Sequence, residues 1–108
     1  MNKTTQFIGL TISLAILLPA HAASSAETGE AKSATCAGCH GPDGNSPAPS
    51  FPKLAGQHAD YLYHALKDYK SGKRKNPIMS GQVGNLSDRD MKDLAAYYAS
   101  QKGLSQKY

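Results

Sequence analysis

The stretch that most constrains the fold of this chain is Cys36-Ala37-Gly38-Cys39-His40. Two thiols spaced C-x-x-C, with a histidine directly after the second, form the attachment signature of c-type haem. The spacing suits the chemistry, because one helical turn presents both sulfur atoms to one porphyrin edge, where each adds to a vinyl group. The histidine then lies under the iron as an axial ligand. These are the only two cysteines in the chain, so the sequence predicts one covalent haem c and no disulfide.

Three other interpretations of this pentapeptide have less support. A thioredoxin-like dithiol needs a βαβ context, and no alternating strand pattern precedes Cys36. A closed zinc site needs four ligands, usually from a second cysteine or histidine cluster, and His21, His58 and His64 do not form one. A chance match is disfavoured by the histidine that directly follows the second thiol.

The N-terminus has the layout of a secretory signal peptide. An apolar run over residues 7–18 is followed by Ala20 and Ala22 at the positions of an A-x-A cleavage site. The run is shorter than the roughly 20 apolar residues of a membrane-spanning helix. We therefore expect a cleaved signal peptide over residues 1–22, a periplasmic domain over residues 23–108 and no stable membrane insertion.

The expected mature domain is small for a self-sufficient hydrophobic core. Removal of residues 1–22 leaves 86 of the 108 residues, with no tryptophan and one phenylalanine, Phe51. Domains of this size often depend on a cofactor or another staple, and a central haem would supply the missing apolar surface. Loss of Lys3 lowers the formal net charge from +4 to +3. No basic stripe interleaved with aromatic residues indicates nucleic-acid binding.

Apolar periodicity predicts an all-α chain. We expect a short helix from about Gly29 to Ala37, a second over residues 59–71 closed by Gly72, and a third over residues 88–101. The second helix has one apolar face, formed by Tyr61, Leu62, Ala65, Leu66 and Tyr69. In the third helix, Ser87 and Asp90 form a capping box. Its buried stripe consists of Met91, Leu94, Ala95 and Tyr98. Proline- and glycine-rich loops are expected over residues 41–56 and 73–85.

The second axial position decides what a haem at His40 does, because an open site binds small molecules whereas a closed site only passes electrons. Met79 lies in the second predicted loop, from which it can reach the far side of the ring, and a thioether ligand favours the ferrous state. Met91 is in phase with the buried stripe of the last helix, which favours a core position. His58 and His64 remain rivals that would give a bis-histidine centre.

With these residues placed, the chain resembles the class I monohaem cytochromes c, in particular small bacterial periplasmic cytochromes of the c-four and c-553-like group. The resemblance covers nearly the whole mature sequence. It is carried by the haem motif with Gly41 and by the segments Asp43-Gly44-Asn45, Pro52-Lys53-Leu54-Ala55-Gly56-Gln57, Asp60-Tyr61-Leu62, Gly72-Lys73-Arg74, Asn76-Pro77-Ile78-Met79, and Leu86-Ser87-Asp88 to Ala95-Ala96-Tyr97-Tyr98. The single haem motif departs from the dihaem pattern and indicates a stand-alone monohaem version.

The resemblance implies a cytochrome c-like fold of short helices wrapped around one haem. Cys36 and Cys39 would form the thioethers, and His40 and Met79 would be the axial ligands. The implied function is a monomeric, soluble periplasmic electron carrier between a membrane respiratory complex and a terminal oxidase or reductase, with no catalytic residue. The alternatives are a haem sensor or peroxidase-like enzyme with a displaceable Met79, and a haem subunit of a larger redox complex.

The resemblance also implies supporting roles around the haem. The Pro52 carbonyl would accept the proton of the second His40 ring nitrogen, with Pro49 as a rival in the same proline-rich loop. Leu54 would line the haem pocket. Gly29 would allow the first helix to cross the last one closely near Tyr97 and Tyr98.

A basic cluster formed by Lys67, Lys70, Lys73, Arg74 and Lys75 has two interpretations. Cations are favourable at a helix C-terminus through the helix dipole alone. The cluster is also suited to guide an acidic redox partner or to pair with a haem propionate. The sequence does not decide between them.

Overall fold

The computed structural model describes residues 6–19 and 24–104 of this chain. Within these ranges the chain forms five helices and no strand, so the all-α prediction is confirmed. The helices, in chain order, are α1 (Ser25–Lys32), α2 (Ala34–His40), α3 (Ala59–Ser71), α4 (Pro77–Val83) and α5 (Asp88–Ala99).

The N-terminal apolar run is separate from the helical domain. Residues 6–19 have no regular secondary structure, and their large apolar side chains are exposed. No helix in the described ranges is long and apolar enough to cross a membrane. The predicted cleavage site after Ala22 lies outside the described residues, so the signal peptide stays a prediction.

Helix α5 is the centre of the packing and contacts both α1 and α3. It begins as predicted, because Ser87 Oγ accepts from the Asp90 amide at 3.0 Å and the Asp90 carboxylate accepts from the Ser87 amide at 2.9 Å. Its predicted stripe, Met91, Leu94, Ala95 and Tyr98, is buried. The helix ends at Ala99 rather than at Gln101. There the Ser100 hydroxyl donates to the Tyr97 carbonyl at 2.7 Å and satisfies a group at the helix end.

Gly29 is the point at which α1 crosses α5. A Cβ atom at this position would lie 2.0 Å from the Asp93 carbonyl oxygen and 2.8 Å from Tyr97 Cβ. The two backbones therefore approach more closely than any side chain allows. The predicted close crossing of the first and last helices lies at Asp93 and Tyr97.

The single helix expected from Gly29 to Ala37 is wrong in both its start and its continuity. Helix α1 starts at Ser25 because Ser24 and Glu27 form a capping box. It ends at Lys32, and the hydroxyl of the following Ser33 donates to the Glu30 carbonyl at 2.8 Å and so competes with the helical backbone pattern. Helix α2 then carries the whole haem motif, and the Gly41 amide closes it on the Ala37 carbonyl at 2.9 Å.

The prediction of a loop over residues 73–85 is also partly wrong, because this segment contains α4. Asn76 accepts from the amides of Ile78 and Met79 through its side-chain oxygen, and Pro77 occupies the first helical turn. These two signals are enough to start a short helix among residues that otherwise favour turns. Helix α3 has the predicted bounds, and Gly72 closes it with a φ of 84°.

One carboxylate is buried behind the crossing of α1 and α5. Asp93 is 1% exposed and lies 2.9 Å from Lys32 Nζ and 3.1 Å from Arg89 Nε. The same Lys32 ammonium lies 2.8 Å from Asp90. The hydrogen bonds from Lys32 hold the pKa values of both carboxyl groups below their usual range, to about 2 for Asp90. The apolar stripe of α5 gave no sign of this buried charge.

Replacement of Gly29 by alanine tests the helix crossing. We expect Gly29→Ala to lower the free energy of unfolding of the holoprotein by about 3 kcal/mol, at the upper end of the cost of overpacking, because the clash is with backbone. Urea denaturation measures this change. Gly81→Ala is the matched control, since Gly81 is also helical and has nothing within 4 Å of its Cβ position. An equal loss of stability in both variants would contradict the crossing.

Replacement of Lys32 by methionine tests the ion-pair network. The pKa values of Asp90 and Asp93 are depressed in the folded state, so their stabilisation is present above about pH 4 and is lost as the pH falls towards 2. We expect the difference in urea midpoint between wild type and Lys32→Met to be constant at neutral pH and to shrink between pH 4 and 2.

The matched control for this experiment is Lys92→Met, which removes an exposed pair with Asp88. We expect a smaller midpoint difference for this variant, because exposed ion pairs contribute little to stability. A Lys32→Met difference that stays constant down to pH 2 would assign the effect to packing of the lysine stem.

Candidate functional site

An apolar cleft of about 390 Å³ lies between α2, α3, α4, α5 and the loop that follows α2. We call it the central cleft. All six residues selected from the sequence line it, namely Cys36, Cys39, His40, Pro52, Leu54 and Met79. Its volume falls within the range of small-molecule and cofactor pockets.

His40 is fixed in the wall of the central cleft. It ends α2, is 7% exposed and has its Nδ1 atom 2.8 Å from the carbonyl oxygen of Pro52. Because a carbonyl only accepts, Nδ1 carries the proton and Nε2 keeps a free lone pair. The Phe51 ring lies edge-on to the imidazole, with centroids 6.4 Å apart. Pro52, and not its rival Pro49, thus contacts the histidine.

The loop after α2 holds the Pro52 carbonyl in place through its own hydrogen bonds. The Leu54 amide donates to the Gly44 carbonyl at 2.8 Å, and the Asn45 side chain donates to the Lys102 carbonyl at 2.8 Å. Pro49 and the other prolines restrict the remaining backbone. The long loop predicted from the sequence is therefore an ordered support for His40.

The two thiols lie one helical turn apart on α2. Cys36 and Cys39 are both half-buried and neither forms a disulfide. Burial raises the pKa of the Cys36 thiol. Both side chains open onto the cleft that His40 also lines, so the motif presents two sulfur atoms and one imidazole to a common space.

Met79 reaches the central cleft from α4. Its side chain is half-buried, and its amide donates to the Asn76 side chain at 3.1 Å. Of the rival ligands, Met91 is buried in the helical core, whereas His58 and His64 are exposed. Within the described ranges, none of these three side chains lines the central cleft.

The apolar face of α3 forms another wall of the cleft. The five residues predicted from its periodicity all line the cleft, namely Tyr61, Leu62, Ala65, Leu66 and Tyr69. Only Leu62 among them is buried, and Tyr61 is 53% exposed. Periodicity thus identified the correct face, but that face borders the cavity instead of packing fully against protein.

Arg74 is a cleft residue that the sequence placed only in the basic cluster. Its guanidinium lies 4.9 Å from the centroid of the Tyr69 ring and 3.5 Å from the Tyr61 hydroxyl. The hydrogen bond that the guanidinium donates to Tyr61 raises the pKa of Arg74. No spacing rule signals this contact, because it depends on the turn after Gly72.

The residues of the central cleft fit a covalent haem. Two unpaired thiols, an imidazole with a free Nε2 lone pair and a thioether open onto one apolar space. This is the donor set of a c-type haem with a histidine and a methionine ligand. The apolar walls match the porphyrin, and Arg74 adds a cation at the cleft.

Comparison with known proteins agrees with this fit, because the profile of the family described as cytochrome c matches residues 26–102. The chain belongs to the cytochrome c family. Cytochrome c4 of Pseudomonas aeruginosa is 55% identical over 102 residues, which cover 94% of this chain and 50% of that protein. Cytochrome c-554(548) of Halomonas halodenitrificans is 46% identical over 83 residues, 74% of this chain and 100% of that protein.

A solved structure gives the same result for the fold of this cytochrome c. The crystal structure of reduced recombinant cytochrome c4 from Pseudomonas stutzeri superposes with a TM-score of 0.71 at 50% identity, covering 76% of this chain and 48% of that one. The predicted class I cytochrome c of the c4 group, its fold and its haem c cofactor are thus confirmed. The chain spans about half the length of the cytochrome c4 relatives it matches.

Removal of the cap of α4 tests how Met79 is held. Asn76→Ala removes the acceptor of the Ile78 and Met79 amides, and loss of such a cap costs about 1 kcal/mol. We expect faster hydrogen exchange of these two amides, measured by NMR on the holoprotein. Asn76→Asp keeps an acceptor and should preserve their protection. Unchanged exchange in Asn76→Ala would show that the cap does not hold α4.

Proposed function

We propose that this cytochrome c is an electron carrier with a single haem c held by thioethers to Cys36 and Cys39 and ligated by His40 and Met79. Domain 23–108 would carry this function after export to the periplasm and removal of residues 1–22. It would act as a monomer between a membrane respiratory complex and a terminal oxidase or reductase.

One observation carries the proposal: His40 and Met79 line the same apolar cleft as both cysteines. A haem bound through those thiols would lie between two protein ligands, with no axial position left for a substrate. Closed ligation of this kind suits electron transfer, whereas catalysis on small molecules needs an open position.

The residues of the chain would keep the site rigid during electron transfer. Haem c supplies an iron that takes up and releases one electron. The Pro52 carbonyl keeps the proton on Nδ1 of His40 and fixes the ring orientation, which strengthens Nε2 as a donor. Leu54, with Leu62 of α3, excludes water from the cleft wall. Ligands held in this way would change little between the two redox states, which favours fast transfer.

Partner recognition would involve the exposed edge of the cleft and the basic cluster. The cluster residues Lys67, Lys70, Lys73, Arg74 and Lys75 are exposed. Lys70 also donates to the Leu86 carbonyl and Arg74 stacks on Tyr69, so part of the cluster has a structural role. Lys67 lies 5.0 Å from the centroid of the Tyr63 ring, and Lys73 and Lys75 are available to attract an acidic redox protein.

Replacement of Met79 by alanine tests the proposed ligation. We expect ferric Met79→Ala to lose the weak long-wavelength band of sulfur-to-iron ligation and its reduction potential to fall by on the order of 0.1 V, since axial ligands set potentials over about 0.8 V. Absorption spectra and redox titration measure both changes. Met91→Leu is the control, because Met91 is a core residue. Its ferric band should persist.

The same spectra separate the carrier from a sensor or peroxidase-like enzyme. A carrier keeps the ferric band at neutral pH when azide or imidazole is added, because the methionine stays bound. Loss of the band in wild type at low ligand concentration would indicate a displaceable Met79 and would reject the carrier. A band that survives Met79→Ala would reject Met79 as the ligand.

A further inference from the structure

The Tyr98 hydroxyl is buried at the haem-attachment site without a hydrogen-bond partner. Tyr98 is 3% exposed, and its oxygen has no partner in the part of the chain that the structure describes. The ring packs closely on Gly44, where an added Cβ would lie only 2.8 Å from the Tyr98 Cδ1 atom. A buried hydroxyl that lacks a partner is unfavourable, so it requires an explanation.

The sulfur of Cys36 is an acceptor to which this hydroxyl can donate a hydrogen bond. Cys36 packs against the core cluster that contains Tyr98, and both residues line the central cleft. Burial raises the pKa of the Cys36 thiol, and the Tyr98 hydroxyl acts as a nearby donor that opposes the rise. The adjacent tyrosine is different, because Tyr97 donates to the Pro42 carbonyl at 2.6 Å.

We propose that Tyr98 is a positioning residue for haem attachment at Cys36, where its hydroxyl donates a hydrogen bond to the sulfur and directs it towards the vinyl group. In this addition the sulfur forms a bond to one vinyl carbon, the vinyl π bond is lost and the thiol hydrogen ends on the other carbon. No electrons are gained or lost. The thioether sulfur keeps its lone pairs, so the hydroxyl keeps its acceptor after attachment.

The Ser33 hydroxyl is the rival partner for Tyr98, since it is also near the phenol and is buried. Its own proton is already donated to the Glu30 carbonyl at 2.8 Å. A Tyr98–Ser33 hydrogen bond would act on the turn between α1 and α2 and so affect both thiols equally. A Tyr98–Cys36 hydrogen bond would affect only one of them.

Chains with one cysteine each distinguish these cases. Cys39→Ala leaves Cys36 as the sole attachment thiol, and Cys36→Ala leaves Cys39. The full chain is exported in cells that attach c-type haem, and intact mass gives the fraction that carries covalent haem. We expect Tyr98→Phe to lower this fraction about fivefold in the Cys36-only chain, on the scale of one hydrogen bond, and to leave the Cys39-only chain unchanged.

Tyr97→Phe and Ser33→Ala are the controls for general effects on folding. Each removes a buried hydroxyl near α2, and each should change the two single-cysteine chains by the same factor. Equal fractions with and without Tyr98→Phe in the Cys36-only chain would overturn the proposal, and so would an equal loss in both chains. Because covalent mass is scored rather than electron transfer, this result is independent of the proposed carrier function.

Discussion

The contact between Gly29 and the backbone of Asp93 is the constraint on which the rest of the structure depends. It sets how closely α1 lies on α5, and Lys32 at the end of α1 then reaches the carboxylates of α5. Only Ser33 separates α1 from α2, so the same crossing fixes the position of the haem motif. Cys36 packs against the cluster that contains Tyr98 because α2 directly follows α1, and α1 lies on α5.

The two sides of the central cleft are held by different means. His40 ends a helix and is fixed by the Pro52 carbonyl, in a loop with its own hydrogen bonds to the Gly44 and Lys102 carbonyls. Met79 lies on a seven-residue helix that begins at an asparagine cap. The histidine side therefore depends on contacts from distant parts of the chain, whereas the methionine side depends on a local helix start.

Much of this arrangement could be predicted from the sequence, because local chemistry determined it. The capping box of Ser87 and Asp90, the stop at Gly72 and the C-x-x-C-H spacing each act over a few residues. The start of α1 at Ser25 and the helix at Pro77 were missed, although Ser24 with Glu27 and Asn76-Pro77 are recognisable start signals. In both places short polar residues allow either a helix or a turn, and packing decides between them.

The buried groups were the least predictable part. Asp93 lies outside the apolar stripe predicted for α5, and its partner Lys32 is 61 residues away in sequence. The unpaired hydroxyl of Tyr98 and the stacking of Arg74 on Tyr69 likewise depend on tertiary contacts. Sequence periodicity gives the face of a helix, but it does not say which polar atoms on that face find a partner.

The short length of α4 has a consequence for how the site comes apart. A helix of seven residues has little stability of its own, so its opening requires much less free energy than global unfolding. His40 belongs to the more cooperative part of the molecule. A haem held between His40 and Met79 would therefore lose its contacts in a fixed order. The methionine side would open while the histidine side is still native. Solvent would therefore reach the methionine face of the haem sooner and more often than the histidine face.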